Sequence, residues 1–163
     1  AWQFQKAQYI AMTNGSSKFV SMQNHYNLLY REDERELLPL CKDMNIPLTA
    51  YSPLAGGRLT RDWNGDRLRD KYDQTVKEKY DMSKTIDYPI VKRVGEIAES
   101  KQISRAQVAM SWLLQKDNVV PIVGGTKVKH LDEAISALDV TLSDEEIEYL
   151  EELYQPHNIV GAL

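Results

Sequence analysis

Three short apolar runs, each ending in polar or turn-prone residues and followed by a helical pattern, constrain this chain more than any other feature. They are residues 18–23 (KFVSMQ), 46–52 (IPLTAYS) and 119–123 (VVPIV). Between them, apolar residues recur three and four apart: Leu37, Leu38, Cys41 and Met44 within 32–45, Ile90, Val91, Val94, Ile97 and Ala98 within 88–102, then Val108, Ala109, Trp112 and Leu113. Such spacing marks one-sided helices. Strands separated by helices are joined by right-handed crossovers into a parallel sheet, so the fold class is α/β. Ser104 with Gln107, and Ser143 with Glu146, form capping boxes that start two further helices. The second of these runs to Tyr154 and is ended by Pro156.

A helix is also expected over 1–14, with Phe4, Ala7, Ile10 and Ala11 on one face and Asn14-Gly15 as its stop. Another is expected over 129–138, with Leu131, Ala134, Ile135 and Leu138 inward. Residues 58–87 are polar and poor in aliphatics, and read as a long ordered surface loop of functional kind. Three strands are too few for this many helices, so several strands are expected to be missing. The opening Ala1-Trp2-Gln3-Phe4 has neither an initiator Met nor a capping residue, and reads as a chain cut at the start of a helix.

The 163 residues suffice for one domain. A net charge of -4, without a basic stripe, argues against nucleic acid as a partner. No stretch approaches the ~18 to 20 apolar residues of a membrane span, and no basic-then-apolar leader opens the chain. The single cysteine, Cys41, lies on an apolar helix face and has no partner for an internal disulfide or a metal site. Together these features lead to the expectation of a cytoplasmic protein with no membrane or metal partner.

In parallel α/β folds ligands bind where the strands end. Here the strands end in Gln23-Asn24, in Tyr51-Ser52, and in Gly124-Gly125-Thr126-Lys127. An amide can pair with a carboxamide, and a tyrosine face can stack on a flat ring. Serine hydroxyls and glycine-exposed amides can hold phosphate oxygens near a helix N-terminus, with Lys127 adding positive charge. Each of these has a plain reading as a turn or strand end; their coincidence at three consecutive strand ends points to a nucleotide.

The segments SMQNHYNLLYRE, AYSPLAGGRL, AQVAMSWLL and PIVGGTKVKHLDEAISALD resemble the aldo-keto reductase superfamily, in the branch of aryl-alcohol-dehydrogenase-like reductases and potassium-channel β-subunits. The resemblance covers essentially the whole chain. It implies the C-terminal part of a (β/α)8 TIM barrel over residues 1–163, with strands six to eight and the surrounding helices, and NADP(H) as cofactor. By that resemblance Gln23 binds the nicotinamide carboxamide and Tyr51 stacks on the ring. Ser52 and Leu54 lie beside the pyrophosphate, under a loop carrying Gly56, Gly57 and Arg58. Gly124, Gly125, Thr126 and Lys127 receive the 2′-phosphate, His130 replaces a common arginine there, and Glu133 meets the adenine. Ala134 departs from the family's asparagine. The loop 58–87 would cover cofactor and substrate, and Trp63 within it is either a covering residue or an ordinary surface hydrophobe.

The family reduces aldehydes and ketones to alcohols by hydride transfer, with an Asp, Tyr, Lys and His tetrad from the N-terminal half. No motif here matches the tetrad. His25 and Tyr26 read as connecting residues rather than catalytic ones, and Trp112 and Leu113 as core. Lys129 and the acidic residues 144–152 read as solvated helix faces. The chain alone is therefore expected to be inactive, with a carbonyl substrate bound only together with the missing half. The alternative is a non-catalytic nucleotide-binding or interaction module. Open sheet edges imply self-association.

Overall fold

The computed structural model describes residues 1–63 and 74–159. Its three strands, β1 (Met22–His25), β2 (Leu48–Tyr51) and β3 (Val119–Pro121), form one parallel sheet in the order β1-β2-β3. In register, Met22 pairs with Leu48 and Leu48 with Val119; His25 pairs with Tyr51 at the C-terminal end. The first strand starts four residues later than expected. The buried Gln8 side chain explains this: it donates to the Phe19 carbonyl (2.8 Å) and accepts from the Phe19 amide (2.9 Å). Both main-chain groups that a ladder would use at Phe19 are thereby taken.

Alternation divides the sheet into two unlike faces. Leu48, Ala50 and Val119 point to a buried face covered by helices, whereas Gln23 is exposed and Val120 is 54% exposed on the other. His25 and Tyr51 lie on this second, open face, which is the face that carries the candidate site.

The helices are α1 (Trp2–Thr13), α2 (Leu37–Asp43), α3 (Gln74–Tyr80), α4 (Lys84–Lys101), α5 (Arg105–Leu114), α6 (Val128–Ser136) and α7 (Asp144–Glu151). Both capping boxes are formed reciprocally, at Ser104 and at Ser143. The core joins α2, α4, α5 and α7 to the sheet and includes fully buried Trp112, Leu113, Val91 and Leu150, with Cys41 buried beside them.

Four expectations need correction. The segment 58–87 is not one loop: a short helical stretch covers Ala55–Thr60, residues 64–73 lie outside the described residues, and α3 follows. Trp63 is buried and therefore not a surface hydrophobe. The helix expected from residue 88 begins at Lys84 in spite of Pro89. A proline in the sixth helical position forfeits one backbone hydrogen bond, and the buried face of Asp87, Ile90, Val91, Val94, Ile97 and Ala98 outweighs that loss. Within the acidic run, Glu151 is not a solvated residue; it binds Arg31 (2.8 Å), Lys116 (2.5 Å) and the Trp112 indole (2.7 Å).

Both outer helices leave large apolar side chains uncovered among the described residues, although Phe4 of α1 packs on the core. No residue of α6 is buried, and Ile135 and Leu138 are 64% and 67% exposed. At the other flank Trp2, Tyr9, Ile10 and Met12 of α1 are exposed. No described helix is long and apolar enough to cross a membrane.

Candidate functional site

Tyr51 closes β2, and the parallel register sets it beside His25. Gln23 lies one side-chain step back on the same open face, two residues before His25. The imidazole of His25 is stacked on Tyr51 (centroids 5.1 Å, planes 13° apart) and on Tyr30 (4.4 Å, 16°). Lys79 from α3 stands 4.8 Å from the Tyr51 ring centroid and 3.4 Å from its hydroxyl.

The chain leaves β2 through a run of left-handed residues: Ser52 (φ 54), Ala55 (φ 50), Gly56 (φ 61) and Gly57 (φ 93). For the two non-glycines this conformation costs about 1–2 kcal/mol each, and such strain gathers at functional loops. The turn is closed by Ala55 N–H to Ser52 O (2.9 Å) and Gly57 N–H to Leu54 O (2.8 Å). A Cβ on Gly56 would stand 2.7 Å from Val76 of α3, so this glycine is required both by its φ and by the close approach of that helix. Leu54 is half-buried against the core. Arg58, expected in a loop closing over a pyrophosphate, is instead buried with its guanidinium 5.3 Å over the Trp63 ring.

The third strand opens into Gly124-Gly125-Thr126-Lys127, all exposed, and Lys127 is the N-cap of α6. A Cβ on Gly124 would meet nothing within 4 Å, while one on Gly125 would crowd the His130 Cβ at 2.8 Å. His130 is exposed and Glu133 half-buried, 3.8 Å from Lys129. The sequence-derived residues thus leave the same end of the sheet in three groups: Gln23; Tyr51 with Ser52, Leu54 and Gly56; and Gly124 to Lys127 with His130 and Glu133. Arg58 is the one turned into the core.

His25, which the sequence places in a connecting segment, is the last residue of β1. It is buried and bonds Tyr80 through Nε2 (2.6 Å). Burial, with the nearby Lys79 and His157 charges, brings its pKa down to about 3, so the ring is neutral at physiological pH. Asn27, fully buried, donates to the Tyr80 hydroxyl (3.1 Å) and to the Ser52 carbonyl (2.9 Å). Burial pushes the Tyr80 phenol up, which keeps it protonated. Sequence reasoning missed this group because His25 and Tyr80 are 55 positions apart and no local pattern joins them. Tyr26 is buried and donates to Glu34 (2.6 Å), a structural role.

A nicotinamide dinucleotide fits the residues present. The open space at Gly124 and the exposed N-terminus of α6 leave room for a phosphate group at the end of β3. Lys79 beside the Tyr51 ring is carried on a flexible stem that can swing aside. Among the described residues no cluster of His, Cys, Asp or Glu is placed to hold a metal ion.

The Aldo/keto reductase family model matches residues 1–155, and the chain belongs to that family. Its three parallel strands and their helices are part of a (β/α)8 barrel, the fold of its structural neighbours. Versiconal hemiacetal acetate reductase of Aspergillus parasiticus is 44% identical over 161 residues, which is 98% of this chain and 47% of that protein. A putative aryl-alcohol dehydrogenase of Saccharomyces cerevisiae is 45% identical over 157 residues, 96% of this chain and 46% of that one. The chain therefore spans about half the length of the curated relatives it matches. Among solved structures, a thermostable aldo-keto reductase in complex with the inhibitor epalrestat matches 89% of this chain and 43% of its own, with TM-score 0.64 and 29% identity.

Proposed function

We propose that this chain is the NADP(H)-binding, C-terminal part of an aldo-keto reductase that reduces aldehydes or ketones to alcohols. The observation that carries the reading is the convergence of Gln23, Tyr51 and the left-handed turn at Ser52 on one end of the parallel sheet, with the open glycine turn of β3 leaving the same end. A bound nicotinamide supplies the hydride. The Gln23 amide is suited to pair with its carboxamide, and the Tyr51 face to hold the ring flat. The Ser52 hydroxyl, with Leu54 beside it, is suited to phosphate oxygens. Gly124, Gly125, Thr126 and Lys127 offer main-chain donors, a helix N-terminus and a positive charge to a terminal phosphate. Arg58 would have to leave Trp63 to join them, so in this reading Lys127 is the principal cation.

The proton for the carbonyl oxygen comes, in this reading, from the remainder of the barrel, and the chain alone does not turn over substrate. The same remainder covers the apolar faces of α1 and α6; without it, copies of the chain associate through those faces.

Two substitutions test the assignment. Lys127→Ala is expected to bring NADPH affinity down towards that for NADH, and Tyr51→Ala to weaken both about equally. An unchanged NADPH-to-NADH preference in Lys127→Ala contradicts the placement of the 2′-phosphate, and unchanged affinity in Tyr51→Ala contradicts the ring platform.

A further inference from the structure

The Tyr51 ring and the Ser52 carbonyl are each held from beneath by buried groups that the reading above does not use. The ring lies flat against His25, at 5.1 Å and 13°. The Ser52 carbonyl accepts from Asn27 Nδ2 at 2.9 Å, in a residue whose φ is 54°. The two supports belong to one network. Asn27 donates to Tyr80 Oη at 3.1 Å, and Tyr80 Oη stands 2.6 Å from His25 Nε2. The Tyr80 hydroxyl accepts from Asn27, and one proton joins that hydroxyl to Nε2 of the neutral imidazole. Asn27 Oδ1 in turn accepts from the Leu29 amide at 2.9 Å, fixing which end of the Asn27 side chain faces the cluster.

We propose that His25, Asn27 and Tyr80 are positioning residues that hold the Tyr51 ring and the Ser52 turn as a fixed platform for the nicotinamide end of the cofactor; this rests on the cofactor reading above. The bond to Tyr80 fixes the plane of the His25 ring, and stacking against that fixed plane restrains the Tyr51 ring about its Cβ–Cγ bond. Tyr51 is consequently set before a ligand arrives, and the ordering loss on binding is smaller. The network also ties the platform to α3, since Tyr80 is the last residue of that helix. Space filling alone would ask only for an apolar residue at position 25, and would not place three polar groups with mutual hydrogen bonds under one ring and one carbonyl.

The test measures dissociation constants for NADPH and for 2′-phosphoadenosine-5′-diphosphoribose, which keeps the phosphates and adenosine but has no nicotinamide. His25→Ala is expected to weaken NADPH about three- to tenfold, the range of an aromatic stack, and to leave the ring-free analogue within about twofold. His25→Phe, which restores a flat ring but not the bond to Tyr80, is expected to recover only part of the loss. Equal weakening of both ligands, or of neither, overturns the proposal. Should His25→Ala fail to fold by circular dichroism, Tyr80→Phe carries the test: it keeps the ring and removes the hydroxyl, and must still weaken NADPH relative to the analogue. Wild-type protein that binds the analogue but gains nothing from the nicotinamide overturns the platform alone; wild-type protein that binds neither overturns the cofactor reading and the platform with it.

Discussion

Acidification from pH 7 to pH 5 is expected to remove about 2 kcal/mol of folding stability through His25 alone. The ring is buried in the folded protein with its pKa brought down to about 3, against an ordinary value of 6.5. Between those values the unfolded chain takes a proton that the folded chain refuses, so stability falls as the pH falls below about 6.5. His157 runs the other way. Burial pulls it down, but its 2.9 Å hydrogen bond and charge pairing with Asp87 more than reverse this and raise its pKa. Its contribution is fully present below 6.5 and is lost as the pH rises through its folded value. Urea unfolding followed by circular dichroism at pH 7 and pH 5, on wild type and His25→Phe, separates the two. The variant should lose about 2 kcal/mol less than wild type over that interval. Identical pH dependence in both proteins would refute the buried, neutral state of His25.

Further outcomes follow from the same geometry. Gly56→Ala is expected to lower stability by about 2 kcal/mol, because its left-handed backbone and the 2.7 Å approach of Val76 both oppose a methyl group; part of that loss should return in the double variant with Val76→Ala, measured by urea unfolding. Lys79→Met is expected to favour binding of NADP+ over NADPH several-fold, about 1 kcal/mol, since a cation 4.8 Å from the Tyr51 ring opposes a positively charged nicotinamide; titration of both cofactors reads this ratio. Sedimentation velocity at rising concentration should show association through the exposed faces of α1 and α6, and a monodisperse monomer would count against it.

Features set by neighbouring residues were legible in the sequence. Both capping boxes appear where Ser104 and Ser143 announced them, because the bonds involved span three residues. The β2 strand, the buried Cys41 and the Trp112 core face were legible for the same reason. Contacts between distant segments were not. The side chain of Gln8 shortens β1 by capturing Phe19 across 11 positions. Helix α3 has a single aliphatic residue, Val76, and so no stripe to betray it; its place comes from packing on the Gly56 turn and from Tyr80 reaching His25. Arg58 carries the charge expected of a phosphate-closing residue, yet the proximity of Trp63 draws it inward. Leu131, Ile135 and Leu138, expected to point inward, are exposed instead, and on α1 Trp2, Tyr9 and Met12 are exposed outside the expected stripe, because periodicity does not say which surface covers a helix.

The most direct test of the cofactor assignment is a tryptophan-fluorescence titration of the purified chain with NADPH, with NADH as control. Saturable binding that favours NADPH is the predicted result, and it would show that Tyr51, Ser52 and Lys127 form a working cradle in this chain. A folded chain that binds neither cofactor would contradict the account.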